Sequence, residues 1–190
     1  MPAEPHLNIY VVGAGLTPRQ RQRIQAQLQT ALRSLPAWAF GLLRRRLQEL
    51  GGTSLPLIVE PRADDEGGTQ ALGLGHIDGR PAARLMPRLR EDGIDWRQDQ
   101  RYLIAKALAY VAAPPASDGD SWARWSRAVE ADRLREKAKG VDAHWAEASD
   151  LSLLMEMFAA YALNPEDHRW SELPAVRAFL DGWRQDAVDP

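Results

Sequence analysis

Two long apolar stretches constrain the fold more than any other part of this chain: residues 102–113 (Tyr-Leu-Ile-Ala-Lys-Ala-Leu-Ala-Tyr-Val-Ala-Ala) and 151–162 (Leu-Ser-Leu-Leu-Met-Glu-Met-Phe-Ala-Ala-Tyr-Ala). Both are rich in the strong helix formers Ala, Leu and Met, so they read as helices, and helices apolar on nearly every face belong at the centre of a domain. Each carries one ionisable residue inside its run, Lys106 in the first and Glu156 in the second. An isolated buried charge is costly, so each needs a partner, an exit to water or a cleft. The simplest arrangement sets the two helices side by side with Lys106 facing Glu156.

The rest of the chain supplies a small sheet and further helices. Residues 7–12 form a β-branched, aromatic run closed by Gly13-Ala-Gly15, which reads as strand and turn. A dinucleotide fingerprint needs a third Gly three residues after the second, and Pro18 stands there, so no cofactor is expected. Thr17-Pro18 is an N-cap with Pro at the first helical position. The helix it opens repeats Ile24, Leu28, Ala31, Leu32 and Leu35 at three and four residues, until Pro36 breaks it. A second helix runs through Phe40, Leu43, Leu47 and Leu50 to Gly51-Gly52. Residues 55–60 read as a strand with Pro56 at its beginning or on an exposed edge, and 71–89 as a hairpin turning near Asp78-Gly79. Beyond the first central helix, Pro114-Pro115 and a loop lead to a helix capped by Asp120 or Ser121, with Trp122, Trp125 and Val129 on its packing face. A short terminal helix packs Val176, Phe179, Leu180 and Trp183, and residues 185–190 are expected to fray. This order gives an α+β domain, mainly helical, with a small mixed or antiparallel sheet.

At 190 residues the chain suffices for one domain with a sizeable core, and no composition shift marks a second. The balance of 24 basic against 26 acidic side chains argues against general nucleic-acid binding, and Arg44-Arg45-Arg46 reads as a solvated helix face. The absence of Cys excludes disulfides, Cys-ligated clusters and Cys nucleophiles, leaving carboxylate, His, Lys or Ser/Thr chemistry. No apolar run approaches the roughly 20 residues that span a bilayer, and no signal sequence is visible at the start. Cytoplasmic residence is the default expectation, with signal-independent export left open.

Several polar residues invite a site. His76 lies in the first hairpin strand without a second His at ligand spacing, and reads as a polar residue on one sheet face. His144 and Glu147, three apart, could share a helix face and be joined by Glu156, or form a surface pair, or His144 could buttress Trp145. The acids of 62–68 lack a calcium-loop spacing and read as a solvated turn.

The order of a Trp/Arg-rich approach, an apolar helix, a Trp-containing polar segment, then Met-Glu-Met-Phe-Ala-Ala-Tyr, Asn164-Pro165 and Leu173-Pro174-Ala-Val-Arg-Ala-Phe-Leu180 resembles the lethal-factor-like zincin metallopeptidases. The resemblance runs from about residue 35 to residue 183. It implies one zincin-like domain over 1–190, with an N-terminal strand-helix extension at 1–35. In that family the first helix carries His-Glu-x-x-His and the second supplies a Glu ligand in a Glu-x-Phe-Ala setting, matched here by Glu156-Met157-Phe158-Ala159. The first motif is replaced: Ala105-Lys106-Ala107-Leu108-Ala109 stands where the ligands and base would be, and the family's Tyr falls on Ser149. Ala105 and Ala109 carry no donor atoms, and Lys106 opposes a metal electrostatically, so neither metal nor catalytic residues are expected.

The resemblance therefore implies a catalytically inactive scaffold. Its former substrate cleft, at Ala105, Lys106, Ala109 and Glu156, would bind a protein or peptide partner, because zincins hold extended peptides against an edge strand. That edge would come from residues 71–89. Two other classes stay open: an enzyme of different chemistry using Glu156 with Lys106, His76 or His144, and a structural oligomer subunit in which one of seven Trp residues is an exposed anchor.

Overall fold

Between two parallel strands the chain makes its first commitment, a crossover built from two helices. In the computed structural model, which describes residues 6–11, 16–50, 54–63, 72–90, 93–96, 98–140 and 148–188, β1 (His6–Val11) pairs in parallel with β2 (Ser54–Val59), and α1 (Pro18–Arg33) and α2 (Ala37–Glu49) lie between them in sequence. The start of α1 is fixed by a reciprocal cap: Gln20 N–H donates to Thr17 Oγ1 at 3.2 Å and Thr17 N–H donates to Gln20 Oε1 at 2.8 Å. Its stripe of Ile24, Leu28, Ala31 and Leu32 is buried, as the spacing predicts.

Four strands form the larger sheet, in the order β1-β2-β5-β4, where β4 is Leu72–Ile77 and β5 is Arg80–Leu85. β1, β2 and β5 run parallel, and β4 returns antiparallel on the edge through a tight hairpin. Both loop residues have positive φ, Asp78 at 51° and Gly79 at 76°, the two-residue turn whose twist suits a hairpin. β2 is an interior strand, and Pro56 is tolerated because the β5 register begins one residue later, at Leu57. The short strands β3 (Arg62–Ala63), β6 (Arg88–Arg90) and β7 (Gly93–Asp95) make a second, three-stranded sheet, which the residue pattern does not predict because two or three residues show no periodicity.

Helix α3 (Gln100–Ala112) is the central element: α1, α2 and α5 (Asp150–Leu163) pack on it, and so does one face of the large sheet. Ile104, Ala105, Ala107, Leu108 and Ala109 have no exposed surface, as expected for a helix apolar all round. Each fully buried Leu or Ile of this interior, such as Ile104 and Leu108, contributes roughly 1.5–3 kcal/mol. Opposite the sheet, α4 (Gly119–Ala138) and α6 (Pro174–Val188) complete the helical half. Asp118 caps α4, not Asp120 or Ser121, because its carboxylate is placed to accept from Ser121 N–H at 3.0 Å. The last helix continues to Val188 where fraying was expected, since α2 and α4 both pack along it. At the α2–α6 crossing a Cβ on Gly41 would stand 2.5 Å from the carbonyl oxygen of Ala187, so the helices approach where glycine allows it.

A chain of aromatic contacts joins α5 to its neighbours: Trp38 meets Phe158 edge-on at 5.4 Å, Phe158 meets Trp183 at 5.7 Å, and Tyr161 meets Trp170 at 5.5 Å. The buried indole N–H groups find acceptors, Trp125 on the Asp150 carbonyl at 3.1 Å and Trp170 on the Asn164 carbonyl at 2.9 Å. None of the six described Trp residues is exposed, so among them there is no exposed anchor; Trp145 lies outside the described residues. Among the described residues the fold is α+β, mostly helical with six α-helices and two small mixed sheets, and no described helix is long and apolar enough to cross a membrane.

Candidate functional site

Lys106 and Glu156, the single charged residues of the apolar runs 102–113 and 151–162, meet across the α3–α5 contact, with Lys106 Nζ donating to Glu156 Oε1. The Tyr102 hydroxyl donates to the other carboxylate oxygen, Oε2, at 2.5 Å. Tyr102 and Lys106 are four residues apart and so stand one above the other on the same face of α3. The ammonium also lies 5.8 Å from the centroid of the Tyr102 ring. One turn further along that face, the Tyr110 hydroxyl donates to the Gly75 carbonyl of β4 at 3.2 Å, tying α3 to the edge strand.

Solvent reaches the two charges unequally. The Lys106 side chain is 12% exposed and that of Glu156 is 44% exposed. The carboxylate is thus gripped by two donors from the α3 side and open to water elsewhere, while the ammonium depends on its partner. Burial, and then the hydrogen bond to anionic Glu156, push the Tyr102 phenol above its ordinary range, whereas the nearby Arg169 charge opposes the shift. Arg169 is held by Asp167, which accepts from both its backbone N–H and its guanidinium. Asp99 holds Arg101 in the same way at the start of α3. In both cases the guanidinium bond holds the carboxyl below its ordinary range.

Of the residues expected in the cleft, Lys106 and Glu156 come together. Ala105 and Ala109 are fully buried and do not open onto it; they lie about 100° and 60° round the helix from Lys106. Tyr102 was not singled out from the sequence, although its place four residues before Lys106 was the signal available. His76 is exposed on β4 opposite Pro81 and makes no described hydrogen bond or ion pair with Lys106 or Glu156. His144 and Glu147 lie outside the described residues, as do Gly13-x-Gly15 and the acids of 64–66.

These residues do not fit a zinc ion. A tetrahedral site needs three protein ligands, and here one carboxylate is already bonded to an ammonium, beside two alanines. Among the described residues no group of three or more His, Cys, Asp or Glu is placed to hold a metal. A shallow groove of about 390 Å³ lies between α1 and the start of α3, lined by Gln27, Thr30, Ser34 and Asp99 among others, and does not include the Lys106–Glu156 pair. Comparison with family models, with curated proteins and with solved structures finds no match to this chain.

Proposed function

We propose that the chain is a single zincin-like domain that has lost its metal chemistry and binds an extended segment of a protein partner in the former substrate cleft, along β4. The observation that carries this reading is the Lys106 ammonium on Glu156, where the family resemblance would set a metal ion on the same carboxylate. Support also comes from the sheet: β4 is an antiparallel edge strand beside the helix that bears Lys106, and Tyr110 fastens the two together. An edge strand offers a ladder of backbone donors and acceptors that binds extended peptides without any metal. Cytoplasmic residence belongs to the same proposal.

Selection of a random linear peptide library on the immobilised chain tests it. Recovered peptides should lose binding to a folded His76→Pro variant, which removes an outward donor of β4. Peptides that bind both proteins equally would place recognition elsewhere.

A second reading is favoured by one observation, that three ionisable groups, Tyr102, Lys106 and Glu156, are in contact. Such a cluster supports acid–base chemistry. Turnover of a metabolite or peptide panel that disappears in Glu156→Gln would establish it in place of the binding role.

A further inference from the structure

Helix α4 sorts its charges by side in a way that its residue order hides. Residues 119–140 mix six bases with four acids, a pattern that suits any solvated helix. The fold turns two of the acids inward: Asp132 and Glu136 lie in the buried row with Trp125 and Val129, and Asp132 is committed to the first turn of α6, where Val176 N–H donates to it at 2.8 Å. A third acid, Glu130, is taken by Arg133 through two bonds of 2.6 Å. What remains exposed is Arg124, Arg127, Arg135, Lys137 and Lys139, against Asp120 alone. None of these five bases forms a salt bridge with a described residue, and the partners of the first two are neutral: Arg124 donates to Ser121 Oγ at 3.3 Å and Arg127 to the Ala123 carbonyl at 3.1 Å.

The helical period sets the bases around an apolar line. Arg127 and Leu134 stand opposite the buried row, with Ala123, Ala131 and Ala138 exposed beside them, Arg124 and Arg135 on one flank and Lys137 on the other. Leu134 is 53% exposed, the only large apolar side chain so exposed among the described residues. From Arg124 to Lys139 this face extends about 22 Å along one helix. A flat anionic surface meets all of it at once: Arg and Lys reach sideways to charged headgroups while Leu134 dips below them. The backbone of a nucleic-acid duplex curves away from a straight helix and offers Leu134 nothing apolar. An acidic helix of another protein would need a longer apolar seam than one Leu and three Ala to hold its register.

We infer that the outward face of α4 docks the domain on an anionic phospholipid surface, with the five bases at the headgroups and Leu134 beneath them. The inner face of α4 stays packed on α6 and α5, so the helix lies on the surface without leaving the fold. Each base adds a small, salt-screened attraction, and the five together suffice for reversible binding of a chain whose net charge is −2. This docking is independent of the use of β4.

The test is flotation of the purified, tag-free full chain with vesicles of phosphatidylcholine alone and of phosphatidylcholine mixed with phosphatidylserine. The chain should bind the mixed vesicles and not the neutral ones, and binding should fall steeply with added salt. Arg127→Gln, Arg135→Gln and Lys137→Gln combined should weaken it roughly a hundredfold, about fivefold for each base removed. Leu134→Ala should weaken it as well. All four side chains are exposed or nearly so, and an unchanged urea midpoint verifies that the variants keep the fold. Arg19→Gln with Arg23→Gln removes two exposed bases from α1 instead and should leave binding nearly unchanged. No binding to the mixed vesicles, equal binding to both kinds, binding retained in the triple variant, or an equal loss in the α1 variant would overturn the inference. Tighter binding of a DNA duplex or of polyglutamate, unaffected by Leu134→Ala, would assign the face to nucleic acid or to an acidic protein and equally overturn it.

Discussion

The Tyr102 hydroxyl donates to Glu156 Oε2 at 2.5 Å, so the carboxylate of α5 is held from α3 by a phenol as well as by an ammonium. The phenol is consequently kept protonated, by burial first and by the neighbouring anion second. Burial likewise raises Tyr110 and Tyr161. A raised folded-state pKa means that the folded chain holds the proton more tightly than the unfolded one. The stabilisation is complete below the ordinary tyrosine value of 10.0 and is lost as pH rises above it. Phenolate absorbance followed through an alkaline titration should show Tyr102, Tyr110 and Tyr161 ionising above the ordinary tyrosine value. Ionisation of all four near pH 10 with the fold intact would contradict this.

A second prediction concerns a helix that lacks its own cap. The residue before Pro174 is Leu173, which has no side-chain acceptor, and Asp132 of α4 takes the role, accepting from Val176 N–H at 2.8 Å and Ala175 N–H at 3.2 Å. Asp132 is 1% exposed, so its removal leaves buried donors without partners. Asp132→Ala should cost about 2–3 kcal/mol in urea unfolding and Asp132→Asn less. A loss below about 0.5 kcal/mol for the alanine variant would show that the cap contributes little.

Metal analysis gives a third. With Lys106 on the one carboxylate and alanines at 105 and 109, the purified, tag-free chain should hold zinc only below stoichiometry. One tightly held zinc per chain, with ligands traced to His76 or His144, would overturn the account of the cleft.

How much of this could be read beforehand depends on how local each cause is. Lys106 and Glu156 were legible because a single charge in an apolar helix needs an explanation, and Thr17 because a cap and its Gln20 partner lie within one turn. Tyr102 was not, since a Tyr at a helix start reads as packing until its hydroxyl is seen on a carboxylate 54 residues away. Asp132 escaped for the same reason: its donors lie 43 and 44 residues further on, beyond any local pattern. The hairpin and its turn followed from Asp78-Gly79, but the order β1-β2-β5-β4 is set by tertiary packing, which pattern alone does not reach.

The most direct test of the central claim, that Lys106 supplies the cation for Glu156, is a double-mutant cycle on the two residues followed by urea unfolding. Glu156→Leu strands an ammonium whose side chain is only 12% exposed and should cost about 2 kcal/mol, whereas Lys106→Met leaves a 44% exposed carboxylate that water and Tyr102 still serve and should cost about 1 kcal/mol. The double variant should be clearly more stable than the sum of the two losses allows, by about 1 kcal/mol or more. Losses that add within about 0.3–0.5 kcal/mol would show that the two residues do not depend on each other, and would contradict the account.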